Sequence, residues 1–257
     1  MMRKNRLLPA ALLAALPLGA VFGVDISLSA GGGGFLGGLF TRYTLTADGN
    51  MGVPVKVLSA QGVNQFNYGG YFFWDVVFAE LSVGFHRGEN TWTETISAVS
   101  SDAGAGKVFG SDTAGTGTEV MLNFALLGKY PFPLGKRLTL FPLAGIEYQL
   151  ALLEYRKQRG YTMYDRTDGI RETGSNGGAY GLSAWNSLFI NVGAGIDVSL
   201  IARMYLRTEL LYGFRLMTPY EADALEKVKK QANAPNPKLA GLTSGPTLRI
   251  GVGYRPW

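Results

Sequence analysis

Cysteine is missing from all 257 residues, which excludes a disulfide framework, a thiolate metal site and a lipid-attached cysteine. Histidine occurs once, at His86, and no group of His, Cys and Asp has metal-ligand spacing, so no metal is expected. The run Gly31 to Gly34 invites comparison with a phosphate-binding loop, but no Gly-Lys-Ser/Thr follows it. No cofactor motif remains. Beyond residue 23 there is no stretch of 18 consecutive apolar residues, and thus no helix able to cross a bilayer. If the chain after residue 23 enters a membrane, it must do so as a closed barrel, because only a helix or a barrel satisfies every backbone group in lipid.

What is present begins with a leader. Arg3, Lys4 and Arg6 precede an apolar stretch from Leu7 to Leu18, and Val21-Phe22-Gly23 offers a cleavage point. That layout predicts a secretory signal peptide over residues 1–23 and a single domain over 24–257. Its three cations lower the Lys and Arg count from 24 to 21 against 19 Asp and Glu, a net charge of about +2 instead of +5. A chain so close to neutral argues for no nucleic-acid partner.

The clearest pattern lies between 187 and 216. Leu188, Ile190, Val192, Ala194, Ile196, Val198 and Leu200 alternate with small or polar residues. After a short break, Met204, Leu206, Thr208, Leu210, Tyr212, Phe214 and Leu216 alternate with Arg207, Glu209, Gly213 and Arg215. A period of two marks β-strands, here two joined by a tight turn near Ile201-Ala202. Each exceeds the roughly 9–11 residues that a tilted strand needs to cross a bilayer. Charge confined to one face predicts lipid outside and a polar interior. The turn pairs residues whose numbers sum to about 404, which sets Asp197 against Arg207, Gly195 against Glu209 and Val198 against Leu206. A slip of one residue would oppose apolar to charged side chains throughout.

The same reading yields further strands over 25–46, 64–74, 76–87, 120–130, 138–152 and 247–254, eight in all. Pro142 within the fifth predicts a bulge, since proline cannot donate to a ladder. Loops are expected over 47–62, 97–117, 154–181 and 218–241. In the last, Thr218-Pro219-Tyr220-Glu221 carries helix-start chemistry, which predicts a short helix over 221–231. Long and short connections alternate, the layout of an outer-membrane barrel with both termini on the periplasmic side.

With its leader, alternation, connection lengths and terminal Tyr254-Arg255-Pro256-Trp257, the chain resembles the small eight-stranded outer-membrane barrels of the OmpA and OmpW type. Tyr254 is in phase with Leu248, Ile250 and Val252, whereas the terminal Trp257 is not. The resemblance implies an all-β transmembrane barrel in the outer membrane of a diderm bacterium. Its expected partners are outer-membrane lipid, the barrel-assembly machinery, and an extracellular ligand or host surface met through the long loops. Glu80, Lys129, Glu147, Asp197, Arg207, Glu209, Arg215 and Arg249 are expected to point inward. Eight strands leave an interior just wide enough for side chains, so these charges should pair and fill it. The expected function is structural or surface-exposed and not enzymatic. A narrow OmpW-like channel for small solutes is the alternative, and a lipid-modifying enzyme built on His86 near Ser82 and Glu80 is a third reading. Two aromatic girdles are expected, one of Phe72, Phe73, Trp74, Tyr130, Phe132 and Phe141 near the short turns. The other, near the long loops, comprises Tyr148, Tyr155, Trp185, Tyr212 and Phe214.

Overall fold

The computed structural model describes residues 28–50, 54–76, 78–100, 107–165, 169–179, 186–201, 203–217 and 237–256. The expected leader at 1–23, the helix at 221–231, Trp185 and Trp257 lie outside the described residues. Ten strands run in chain order: β1 (Ser29–Asn50), β2 (Pro54–Val76), β3 (Ala79–Ser100), β4 (Lys107–Lys129), β5 (Phe132–Leu134), β6 (Leu138–Asp165), β7 (Gly169–Ala179), β8 (Ser187–Ser199), β9 (Met204–Met217) and β10 (Lys238–Tyr254). Eight of them close into a ring, β1-β2-β3-β4-β6-β8-β9-β10, with every neighbour antiparallel and β10 paired back onto β1. Closure leaves the ring without an edge strand. β5 forms a small hairpin with the start of β6 across Gly135, whose φ of 74° is the left-handed conformation that a tight turn takes cheaply only with glycine.

The short connections after β2, β5 and β8 gather at one end, together with Ser29 and Tyr254. Pro142 lies in an unbroken register with β8, so the expected bulge is absent there. Instead, the ladder of β6 with β4 ends at Lys129↔Leu143 and that with β5 begins at Phe132↔Leu140. Proline occupies the gap, where no donor is required of it.

At the opposite end the expected loops at 47–62, 97–117 and 154–181 are largely strand. β1 to β4 contain 22, 23, 22 and 23 residues and β6 contains 28, against 13 and 14 in β8 and β9. β7 adds a second hairpin to the extension of β6. The ladders run on to Asn50↔Pro54 and Val55↔Ser100, so the alternation of inward and outward residues never changes phase on β2.

Polarity does change along these strands. On β2, Trp74, Phe72, Tyr68 and Phe66 are exposed on the outside while Asp75 and Asn67 are buried inside. Further along the same strand the exposed residues include Asn64 and Lys56 with Leu58, and those buried inside are Val63, Val57 and Val55. β3 shows the same exchange, from outward Leu81 and Phe85 to outward Arg87, Glu89, Thr91 and Thr93. Inside the extension, Leu45, Ala47, Val55, Val57 and Ala98 form an apolar core against Phe109 and Leu239. The half near the termini is a barrel with its apolar face outward, and the far half is one with its apolar face inward.

A candidate lumenal ion cluster

All eight ring strands send a polar side chain into one cluster near the terminus end. Ser29 comes from β1, Asp75 from β2, Glu80 from β3, Lys129 from β4, Glu147 from β6, Asp197 from β8, Arg207 and Glu209 from β9, and Arg249 from β10. Their convergence follows from register, because each occupies an inward position of its strand.

Arg207 is the hub, with no exposed surface. Its Nε donates to Asp197 Oδ1 at 2.8 Å, and Nη2 donates to Asp197 Oδ2 at 2.9 Å and to Asp75 Oδ2 at 2.8 Å. Nη1 donates to Asp75 Oδ1 at 3.0 Å and to Glu80 Oε2 at 2.8 Å. All five guanidinium hydrogens are therefore engaged. Its Cζ lies 4.3 Å from the centre of the Phe73 ring and 5.1 Å from that of Phe141. Phe73 lies over Gly31 and Phe141 over Gly195, where any Cβ would collide with the ring. Both aromatics, expected in the girdle near the short turns, are buried lumen residues instead, while Phe72, Trp74, Tyr130 and Phe132 do face outward.

Around this hub, Lys129 Nζ reaches Asp75 Oδ1 at 2.5 Å, and Ser29 Oγ donates to Asp75 Oδ2 at 2.5 Å. Arg255, half-buried beyond the end of β10, donates to Asp197 Oδ2 at 2.8 Å and stacks on Tyr205. A second centre is Arg249, which donates to Glu147 Oε2 at 3.1 Å and lies 3.7 Å from Glu80 Oε1 and 3.9 Å from Glu209 Oε2. Glu147 also accepts from Gln149 and Asn191. Glu209 lies between the two arginines, 3.7 Å from Arg207 Nε, without a hydrogen bond to either oxygen among the described residues. Five carboxylates thus face three buried cations and Arg255.

Asp197 stands opposite Arg207 and Gly195 opposite Glu209, the register expected from the sum of 404. Seven of the eight charges singled out from the sequence meet here. Arg215 does not. It lies further along the lumen, donating to the hydroxyl of Tyr43 and sitting 5.7 Å from that ring. Asp75, the most heavily used acceptor, escaped the sequence reading because it precedes a tight turn and looks like a turn residue. Its phase with Phe73 and Tyr71, inward on the same strand, was the available signal.

His86 belongs to an amide-rich layer above the cluster. Its Nδ1 is 3.0 Å from Asn123 Oδ1, its Nε2 is 3.9 Å from Glu119 Oε1, and it is 1% exposed. Gln65 donates to Glu119 and to Asn67. Ser82, which a His-Ser-acid arrangement would require beside His86, instead accepts from Arg249 at 3.4 Å. The cavity in this layer, bounded by His86, Asn123, Gln149, Asn191 and Arg249, measures about 30 Å³. That is room for one or two waters.

No protein-family model matches the chain, and no curated relative does. Among solved structures it is similar to outer-membrane barrels at low identity. Neisserial surface protein A is 10% identical, with 86% of this chain and 96% of that one covered at a TM-score of 0.28. OprG from Pseudomonas aeruginosa is 10% identical over 90% of this chain and 96% of its own, at 0.30. Ail of Yersinia pestis is 10% identical over 90% and 99%, at 0.25. TM-scores of this size assign no function.

Proposed function

We propose that this chain is an outer-membrane barrel of a diderm bacterium with a closed lumen, acting as a non-catalytic structural or surface-exposed protein. Membrane residence is supported by the outward band of Leu36, Phe40, Phe72, Leu81, Leu210 and Ile250. All six are exposed, and a contiguous apolar surface of that extent is not tolerated in water. Both termini then lie in the periplasm, and the extended hairpins project outside.

The closed lumen is the observation that carries the functional reading. Arg207, Tyr205, Phe73, Phe141, Leu127 and Leu211 are the kind of side chains that fill it, each exposed by no more than 2%. An ion crossing this layer would have to break hydrogen bonds that saturate Arg207. His86 is itself 1% exposed, enclosed by Phe35, Asn67 and Asn123 around a cavity too small for a lipid, which is why the reading is non-catalytic.

Protein refolded into planar bilayers tests this. A heat-modifiable shift in migration between unboiled and boiled samples establishes the folded barrel first. No stepwise conductance is then expected at neutral pH. Regular unit steps from the wild-type chain would replace this reading with that of a narrow solute channel.

A further inference from the structure

Two grooves meet on the outside of the barrel along the line where its outward surface turns from apolar to polar. The first, of about 920 Å³, runs between Leu36, Phe40, Phe66 and Leu248 over Gly38 and Pro246. The trough exists because neither Gly38 nor Pro246 offers a long side chain, and the β1–β10 pairing lapses at Gly38 and Leu39. The second, of about 370 Å³, is polar and is bounded by Arg42, Thr44, Gly62, Thr93 and Thr95. Asn64 and Thr91 line both, so the two form one surface.

Arg42 is held in place at the polar end. Its Nη1 donates to the carbonyl of Thr41 at 2.8 Å and Nη2 to Asn64 Oδ1 at 3.2 Å. The guanidinium lies across Gly62, where a Cβ would come within 3.2 Å of Nη1 and 3.3 Å of the Thr93 hydroxyl. Among the described residues no carboxylate pairs with it. Glu89, at the other rim, is occupied by Arg87 at 3.2 Å. An exposed, anchored cation beside the hydroxyls of Thr44, Thr91, Thr93 and Thr95 calls for an anionic group carried on a hydroxyl-rich scaffold. Guanidinium fits phosphate bidentately. The adjoining trough calls for a hydrocarbon chain.

We propose that this surface binds one molecule of a phosphorylated, sugar-headed lipid from the outer leaflet, with an acyl chain over Gly38 and a phosphate at Arg42. A sugar headgroup is favoured over a glycerol one because the polar groove presents four threonine hydroxyls beside Arg42, while the other cation of the joint surface, Arg159, lines the adjoining trough. The proposal rests on the outer-membrane reading above.

The test uses the full chain refolded into phosphatidylcholine bicelles doped with bis-phosphorylated lipid A, with bound lipid counted by native mass spectrometry. One retained lipid A per barrel is expected. Dephosphorylated lipid A and phosphatidylglycerol should each be retained at least tenfold less. Arg42→Ala should weaken retention about tenfold, the loss of one charge-assisted contact. Gly62→Val, which crowds the guanidinium and Thr93 without removing charge, should do the same. Arg203→Ala, at the opposite end of the barrel, should leave it unchanged. Equal retention of phosphatidylglycerol, or indifference to both groove variants in a barrel that migrates heat-modifiably, overturns the lipid site and leaves the membrane reading standing. A chain that never enters the bicelle overturns both.

Discussion

The two ends of the lumen solve the same packing problem with opposite chemistry. Near the termini it is filled by Arg207, Asp75, Glu80 and Asp197, joined by five hydrogen bonds and bracketed by Phe73 and Phe141. At the far end Leu45, Val55, Val57 and Ala98 pack against one another, buried to between 1% and 4% exposure. The outward surface mirrors this, apolar around the charged lumen and polar around the apolar one. On the outer-membrane reading proposed above, lipid accounts for the difference. Where hydrocarbon covers the outside, burying more apolar surface inside brings no hydrophobic gain from the outer face, and the polar residues the chain carries are placed inward, where they can pair. Where water covers the outside, the ordinary preference for an apolar interior returns. On that reading, the exchange of polarity near Arg42, Asn64 and Arg87 marks the outer edge of the bilayer on the protein.

The strongest way to break this comparison is to remove the hub. Arg207→Ala leaves Asp75, Asp197 and Glu80 buried without their principal partner and should cost about 3–5 kcal/mol in urea refolding from lipid vesicles. Pairing it with Asp197→Ala should cost clearly less than the two single losses added together. Additive losses would mean that the charges at this end are not coupled, and the contrast between the ends would fail.

A smaller effect probes the outside of the same layer. Leu210, exposed and flanked by Thr208 and Tyr212 on the outward face of β9, should tolerate arginine poorly. About 2–4 kcal/mol is expected near the midplane by the same refolding measurement. An unchanged midpoint would place this surface in water. Inside the extension, Leu45→Ala opens a cavity in the far core and should cost about 2 kcal/mol locally. Hydrogen exchange should then accelerate in the outer parts of β1 and β2 while heat-modifiable migration persists. Global unfolding instead would show that the two ends fold as one unit. The smallest effect sharpens the boundary itself. Val99, outward and exposed near the end of β3, should accept arginine within about 0.5 kcal/mol, because on the proposed reading it lies beyond the lipid. A penalty like that at Leu210 would move the bilayer edge outward past it.

The same exchange explains which parts of the fold were legible in the sequence. Segments at the terminus end read correctly because apolar residues on one phase and charges on the other can be recognised without a partner strand. The stretches at 47–62, 97–117 and 154–181 read as loops because the polarity of their two faces is exchanged there. Apolar residues move to the inward phase, threonine and charge to the outward one, and a pattern sought in the lipid-facing sense disappears although the backbone alternation continues. Phe73 and Phe141 were misplaced for a related reason. Their phase was inward, but aromatics near turns suggest an interfacial belt, and only the glycines of neighbouring strands, Gly31 and Gly195, open the lumen space that takes them.

By itself, then, the sequence determined the closed eight-strand ring, the inward phase of seven cluster charges and the pairing of Asp197 with Arg207. Each depends on a period of two and a tight turn, which are local properties. Only the tertiary structure decided that Asp75 joins Arg207, a partner 132 residues away in the chain, and that Arg215 sits apart beside Tyr43. Phase says whether a side chain points inward. Which inward side chains share a level is set by strand tilt and by the stagger at which the sheet closes, quantities that exist only once all eight strands are in the ring.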